Sequence, residues 1–133
     1  MDMLSATLES EFADTMMLDR DRARRLAQVK QFIMDSLHDC DLDVDTIAEK
    51  QNMAPRTLNR LFAAEGTSPT RWLWQQRLAG TYNALAEGRV RNVTDAAMNF
   101  GFSDLSHFSR AFKKAFGVSP HMLMRQRTSR HPS

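Results

Sequence analysis

Apolar residues recur at three- and four-residue steps along most of this chain, which is the period of an amphipathic α-helix. The stripe is clearest between Arg22 and Leu37, where it consists of Leu26, Val29, Ile33 and Leu37. Alternation of apolar and polar residues, the mark of a half-buried strand, does not extend over a useful length. The pattern predicts an all-α fold.

Capping and breaking residues divide the chain into further helices. Aspartate at 19 or 21 is expected to cap the first helix, Asp45 a short second one and Thr70 a long one. Gly80 lies inside the long helix, where glycine costs about 1 kcal/mol relative to alanine in an exposed interior position. The helices expected after the first are 46–50, 55–65, 71–86, 94–99, 104–116 and 120–127.

The chain repeats itself at a spacing of 50 to 51 residues. An Arg-x-Phe motif at 60–62 returns at 110–112, and a Gly-x-Ser-Pro motif at 66–69 returns at 117–120. In each copy a short helix and a tight turn precede the helix that carries Arg-x-Phe. This order is that of a helix-turn-helix.

The two turns are expected at Asn52 and Gly101, because Asn and Gly tolerate left-handed backbone. A long helix between the two units would act as a stiff connector, and about 16 residues span roughly 24 Å. Successive major-groove segments on one face of B-DNA lie about 34 Å apart. With the width of the units added, the second helix of each unit can reach its own segment.

Charge is divided unevenly over the 133 residues, although the net charge is only +2. Residues 1–50 hold 12 acidic and 6 basic side chains, a balance of −6, whereas residues 51–133 hold 4 and 12, a balance of +8. The basic part favours a polyanion or an acidic surface as partner, and a solvated basic face without a partner is the alternative.

The composition excludes several classes of protein. No apolar run is long enough to span a membrane, and the single cysteine, Cys40, excludes an internal disulfide and a multi-cysteine zinc centre. We therefore expect a cytoplasmic protein without metal or cofactor. The run Asp41-x-Asp43-x-Asp45 begins like a calcium loop, but the required Gly and Glu are replaced by Thr46 and Asn52. No catalytic motif remains, and the sequence predicts that the chain is not an enzyme.

Two stretches resemble the DNA-binding domain of AraC/XylS-type transcription regulators. They are 54–62, Ala-Pro-Arg-Thr-Leu-Asn-Arg-Leu-Phe, and 101–120, which carries Gly-Phe-x-Asp, Phe-x-x-x-Phe-Lys and Gly-x-Ser-Pro. The resemblance covers roughly 24–127. It departs from the family at Ala54, where a Ser or Thr cap is usual, and at 79–82, where the linker is usually charged and alanine-rich.

The resemblance implies two helix-turn-helix subdomains joined by a long linker helix, about seven helices in all. It also implies a sequence-specific regulator of transcription, more often an activator than a repressor, that binds double-stranded DNA. RNA polymerase is a further partner if the protein activates. A helical protein-interaction module without DNA binding is the alternative, which the nine methionines would suit.

The expected division of the chain follows from the same resemblance. Residues 1–20 are an extension or the remnant of an effector and dimerisation domain, 21–127 form the DNA-binding domain, and 128–133 are a frayed tail. Within the domain, the first helix-turn-helix is 45–66, the linker helix 70–87 and the second helix-turn-helix 94–117. The isolated chain is expected to be monomeric, and a dimer is possible through a missing N-terminal domain. Apolar residues that fit the tail of a missing domain are Met3, Leu4, Leu8, Phe12, Met16 and Met17.

In the first recognition helix, an apolar face of Leu58, Leu61 and Phe62 is expected to be buried. The side chains left exposed are Arg56, Thr57, Asn59 and Arg60. The resemblance points to Arg56, Asn59 and Arg60 as base contacts, since Arg pairs with guanine and Asn with adenine. Thr57 is expected to meet a phosphate or a methyl group. The alternative for Arg60 is an ion pair with Glu65.

In the second recognition helix, Phe108, Phe112 and Phe116 recur every four residues and are expected to be core. The side chains expected to face the bases are Leu105, Ser106, His107, Ser109 and Arg110. Leu105 suits a thymine methyl group. His107 is either a hydrogen-bonding contact or an ordinary exposed histidine.

Phosphate contacts position a protein on DNA without specifying sequence. The candidates, besides Thr57, are Arg71, Ser103, Asp104, Lys113, Lys114, Ser119, His121 and Arg125. Ser103 and Asp104 are included because amides at a helix N-terminus bind phosphate.

Overall fold

In the computed structural model of the chain, the backbone is described for residues 2–130 and the side chains for residues 19–126. This part of the chain folds into seven α-helices and contains no strand, which confirms the predicted all-α architecture. None of these helices is both long and apolar enough to cross a membrane. The helices are α1 (Asp2–Asp35), α2 (Val44–Lys50), α3 (Pro55–Ala63), α4 (Pro69–Glu87), α5 (Val93–Asn99), α6 (Leu105–Phe116) and α7 (Pro120–Arg130).

Helix α1 is one continuous helix of 34 residues. The expectation that a cap at Asp19 or Asp21 begins it is wrong, because this stretch holds no Gly or Pro that would interrupt a helix started further upstream. The predicted stripe is confirmed, since Leu26, Val29 and Ile33 are buried. The apolar side chains before residue 19 lie outside those that the structure describes.

Two predicted caps are each displaced by two residues. Asp43, not Asp45, caps α2 by accepting a hydrogen bond from the Thr46 amide at 2.8 Å. Ser68, not Thr70, caps α4, and its hydroxyl accepts from the amide of Arg71 at 3.2 Å. Both true caps adopt extended backbone, so the helix begins at the next residue.

The frayed tail expected from residue 128 overlaps the last turn of α7. That helix continues to Arg130, and residues 131–133 lie outside the described part of the chain. The expected end of α7 at Arg127 is therefore three residues too early.

The apolar core is divided into two clusters, one for each helix-turn-helix. The first cluster draws on α1, α2, α3 and the beginning of α4, and the second on the end of α4 together with α5, α6 and α7. Phe100 packs against both clusters. The linker helix α4 is thus shared by two small hydrophobic cores.

The two turns have matching backbone geometry. Asn52 and Gly101 adopt positive φ angles of 55° and 82°, which confirms the predicted turn positions. Hydrogen bonds close both turns in the same way, from the Met53 amide to the Ala48 carbonyl at 3.0 Å and from the Phe102 amide to the Ala97 carbonyl at 2.9 Å. The internal repeat in the sequence is therefore a repeat of structure.

Gly80 has a packing role in the middle of α4. A Cβ atom built at this position would lie 2.3 Å from Cε1 of Phe100, far inside van der Waals contact. The helix continues through Gly80 without a break from Pro69 to Glu87. The glycine therefore allows the ring that joins the two cores to approach the linker helix closely.

Candidate DNA-binding surface

Helix α3 separates an apolar face from a polar one. Leu58 and Phe62 are fully buried, whereas Arg56, Asn59 and Arg60 are exposed on the other side. Ala54, the N-cap residue of α3, makes no capping hydrogen bond through its side chain. The predicted base contacts of the first unit thus share the solvent face of one short helix.

Arg60 does not form the ion pair with Glu65 that sequence left open. Glu65 instead pairs with Lys30 of α1, whose Nζ lies 2.6 Å from the carboxylate, and Lys30 also lies 5.4 Å from the Trp72 ring centroid. Within the described residues, no ion pair engages Arg60. Asn59 donates from its side-chain amide to the Pro55 carbonyl at 3.0 Å.

Helix α6 also has a buried aromatic face and an exposed polar one. Phe108 and Phe112 are fully buried. Phe116, which was expected in the core, is 36% exposed because it lies in the last turn of α6, where its ring packs against Tyr82 and Phe112. The residues of α6 that the structure leaves exposed or half-exposed are Leu105, Ser106, His107, Ser109 and Arg110, together with Lys113 and Lys114.

Asp104 is the N-cap of α6. Its carboxylate accepts hydrogen bonds from the amides of Ser106 at 2.9 Å and His107 at 3.1 Å. The sequence-based role of Asp104 as a phosphate contact therefore fits poorly, because its carboxylate occupies the amides and would repel a second anion. Ser103, just before it, is exposed and remains a candidate.

The remaining phosphate candidates lie at helix ends or on exposed turns. Arg71 is exposed in the first turn of α4, and His121 is exposed in the first turn of α7. The hydroxyl oxygen of Ser119 accepts from the Met122 amide at 3.1 Å, which leaves its proton free for a donor role. Thr57 is half-exposed on α3.

His107 is exposed, but its ring has a neighbour. The imidazole packs edge-on against Trp74 of α4 at a centroid distance of 5.4 Å and an interplanar angle of 82°. Trp74 also contacts Phe102, whose ring centroid lies 5.3 Å away. The first turn of α6 is thereby held against the linker helix.

Arg77 is the important residue that sequence reasoning missed. It is 1% exposed, and it donates to the carbonyls of Leu37 at 3.2 Å and Asp39 at 2.6 Å. Its guanidinium carbon lies 5.0 Å from the centroid of the Trp74 ring. Burial lowers the pKa of Arg77, while Cys40 and Asp39 oppose that shift.

The second turn closes around the same guanidinium group. A Cβ atom at Gly101 would lie 2.3 Å from the Leu37 carbonyl oxygen and 2.8 Å from Nε of Arg77. Arg77 therefore joins the loop after α1, the linker helix and the turn of the second unit. Its position, four residues from the buried Leu73 and Thr81 on the same helix, is the sequence signal that could have revealed it.

Repeated turns, buried apolar faces and exposed cations define a double helix-turn-helix DNA-binding domain. A family model described as a helix-turn-helix domain matches residues 47–126, which is more than half of the chain. The chain belongs to the AraC-type family of helix-turn-helix transcription regulators. Among the described residues there is no group of three His, Cys, Asp or Glu side chains placed to hold a metal ion.

Known proteins agree with this assignment. The chain is 38% identical over 127 residues to the transcriptional activator NphR of a Rhodococcus species, covering 94% of this chain and 37% of that protein. The C-terminal domain of AraT, a response regulator from Geobacillus stearothermophilus, matches with a TM-score of 0.71 and 30% identity, over 77% of this chain and 85% of that one. The DNA-binding domain of AdpA, solved in complex with a target DNA, matches with a TM-score of 0.71 and 28% identity, over 81% and 96%. The chain spans about a third of the length of the curated relatives that it matches.

Proposed function

We propose that the chain binds double-stranded DNA sequence-specifically by placing α3 and α6 in two adjacent major-groove segments. The observation that carries the proposal is the repeated design: each recognition helix buries its apolar face and exposes its cations. The linker α4 has 19 residues, or about 28 Å of helix, which approaches the roughly 34 Å between successive groove segments. The match to a DNA-bound domain supports the same arrangement.

The proposed base contacts lie on the exposed faces of these two helices. In α3 they are Arg56, Asn59 and Arg60, and in α6 they are Leu105, Ser106, His107, Ser109 and Arg110. Arginine reads guanine through two hydrogen bonds, and a good pair of this kind contributes about 1–3 kcal/mol of discrimination. The exposed Leu105 offers an apolar contact to a thymine methyl group.

The proposed phosphate contacts surround the recognition helices. They are Thr57, Arg71, Ser103, Lys113, Lys114, Ser119 and His121, whereas Asp104 positions the amides of α6 instead. Each neutralised phosphate makes the dependence of log K on log salt steeper by about 0.9. Binding should therefore weaken strongly as salt rises.

Within this proposal the protein regulates transcription as an activator, in keeping with relatives that carry that name. RNA polymerase would then be its second partner, and it would act in the cytoplasm at the nucleoid. The chain carries out no catalysis of its own, and residues 21–127 form the unit that binds DNA. We expect this isolated unit to be monomeric.

Fluorescence anisotropy with a labelled duplex, selected from a random pool, tests the proposal. We expect Arg56→Ala and Arg110→Ala each to weaken binding roughly 5- to 150-fold, the equivalent of about 1–3 kcal/mol. Arg91→Ala is the matched control, because Arg91 is also an exposed cation but lies in the loop between α4 and α5, outside both recognition helices. Equal effects of all three substitutions would overturn the base-contact assignments. Absence of salt-dependent DNA binding by the unaltered protein would favour a protein-interaction module.

A further inference from the structure

Four arginines lie within six residues of α1, in a half of the chain that is otherwise acidic. They are Arg20, Arg22, Arg24 and Arg25, and all four are exposed. At 100° per residue, Arg22 lies about 40° and Arg25 about 100° to one side of the buried Leu26 around α1, and both border the depression between α1 and α3. Arg20 and Arg24 project to the opposite side of the helix. The cluster therefore presents two pairs of equal charge in different directions.

Arg22 and Arg25, called the inward pair here in contrast to the outward pair Arg20 and Arg24, line a groove beside the first recognition helix. This groove, between α1 and α3, has a volume of about 540 Å³. Arg22 and Arg25 form one wall, and Thr57 and Arg60 of α3 form part of the other. Two arginines from α1 thus share an open depression with a proposed phosphate contact and a proposed base contact.

The charges of this groove are poorly neutralised by the protein itself. Glu65 also lines it, but its carboxylate is engaged by Lys30 at 2.6 Å. Asp19 approaches Arg22 only to 3.9 Å, and the two side chains are 67% and 70% exposed. Ion pairs of this length and exposure contribute little. The groove therefore keeps a surplus of positive charge with room for an anion.

We propose that Arg22 and Arg25 bind phosphates of the DNA strand that borders the first major-groove segment. This inference rests on the proposed function, in which α3 enters that segment. A helix in the major groove has a sugar-phosphate backbone on each side, so the wall that α1 forms next to α3 faces one of them. The DNA interface then extends beyond the two helix-turn-helix units to α1.

The matched pairs of arginines give the test. We compare Arg22→Ala/Arg25→Ala with Arg20→Ala/Arg24→Ala, which removes the same charge from the same helix. Affinity for a selected duplex is measured by fluorescence anisotropy between 50 and 200 mM salt. The variant Arg22→Ala/Arg25→Ala no longer neutralises two phosphates, so the slope of log K against log salt should become shallower by about 1.8. The ratio of its dissociation constant to that of the unaltered protein should therefore fall about 12-fold between the low and the high salt concentration.

The outward pair should leave the slope unchanged, and a charge-retaining Arg22→Lys/Arg25→Lys variant should preserve it as well. Thermal unfolding monitored by circular dichroism verifies that every variant folds. Equal slope changes in both alanine pairs, or no change in either, would overturn the inference. If the unaltered protein shows no sequence-specific binding, the proposed function fails; if it binds normally and the inward pair has no effect, only the role of α1 fails.

Discussion

The substitution Gly80→Ala tests how the two halves of the molecule are joined. In an exposed helix this change stabilises a protein by about 1 kcal/mol, because alanine has the higher helix propensity. Here the new Cβ atom would lie 2.3 and 2.5 Å from two ring carbons of Phe100, whereas apolar carbons pack at about 3.5–4.0 Å. The ring must shift by roughly 1 Å, and overpacking of this kind costs about 1–3 kcal/mol.

The free-energy cost of the clash exceeds the gain from the higher helix propensity of alanine, so we expect Gly80→Ala to lower the free energy of unfolding by about 1 kcal/mol. Urea unfolding followed by tryptophan fluorescence and circular dichroism measures it. The control is the same substitution in a Phe100→Ala background, where the space is open and Gly80→Ala should stabilise by about 1 kcal/mol. An increase in stability in the unaltered protein, or an identical effect in both backgrounds, would refute this packing argument.

Substitutions at three further positions have defined outcomes. Arg77→Met leaves the buried Leu37 carbonyl and the partly buried Asp39 carbonyl without their donor, and should lower the free energy of unfolding in urea by about 3 kcal/mol. Arg77→Lys keeps a charged donor group but loses the guanidinium fork that reaches both carbonyls, so its loss should be smaller; equal losses would contradict the bidentate role. Asp104→Ala should lower the free energy of unfolding, measured by thermal unfolding, by about 1 kcal/mol, whereas Asp104→Asn should leave it almost unchanged because Asn also caps helices well. Equal stability of the two variants would contradict the capping role of Asp104. Hydrogen bonds that the Asp43 carboxylate accepts from Thr46 lower the pKa of Asp43 from its ordinary 3.8. The ionised carboxylate therefore stabilises the folded protein above pH 3.8, and this stabilisation is lost as the pH falls through the lower pKa of the folded state. In Asp43→Asn the melting temperature should therefore decrease less steeply below about pH 4 than in the unaltered protein. The same dependence of melting temperature on pH in both proteins would exclude this contribution of Asp43.

Features that depend on local backbone chemistry could be predicted from the sequence. The turns at Asn52 and Gly101 were predictable because few residues tolerate positive φ, and the structure has it at both. The faces of α3 and α6 followed from the spacing of their apolar residues, except at Phe116, where the helix ends before the core covers it.

Features that depend on distant parts of the chain could not be predicted. The choice of Asp43 over Asp45 as a cap depends on where the preceding loop turns into the helix, which neighbouring polar residues do not specify. Arginine is expected on the surface, and the burial of Arg77 depends on carbonyls 38 and 40 residues away and on the space left by Gly101. Its importance is therefore visible only in the folded chain.

Selection of binding sites from a random pool of duplex DNA tests the central claim most directly. If α3 and α6 each read bases while α4 holds them apart, the recovered sequences should contain two short conserved blocks about one helical turn, roughly 10 base pairs, apart. Arg56→Ala should relax one block and Arg110→Ala the other. A single conserved block, or blocks whose spacing varies freely, would contradict a rigid domain that reads two adjacent segments.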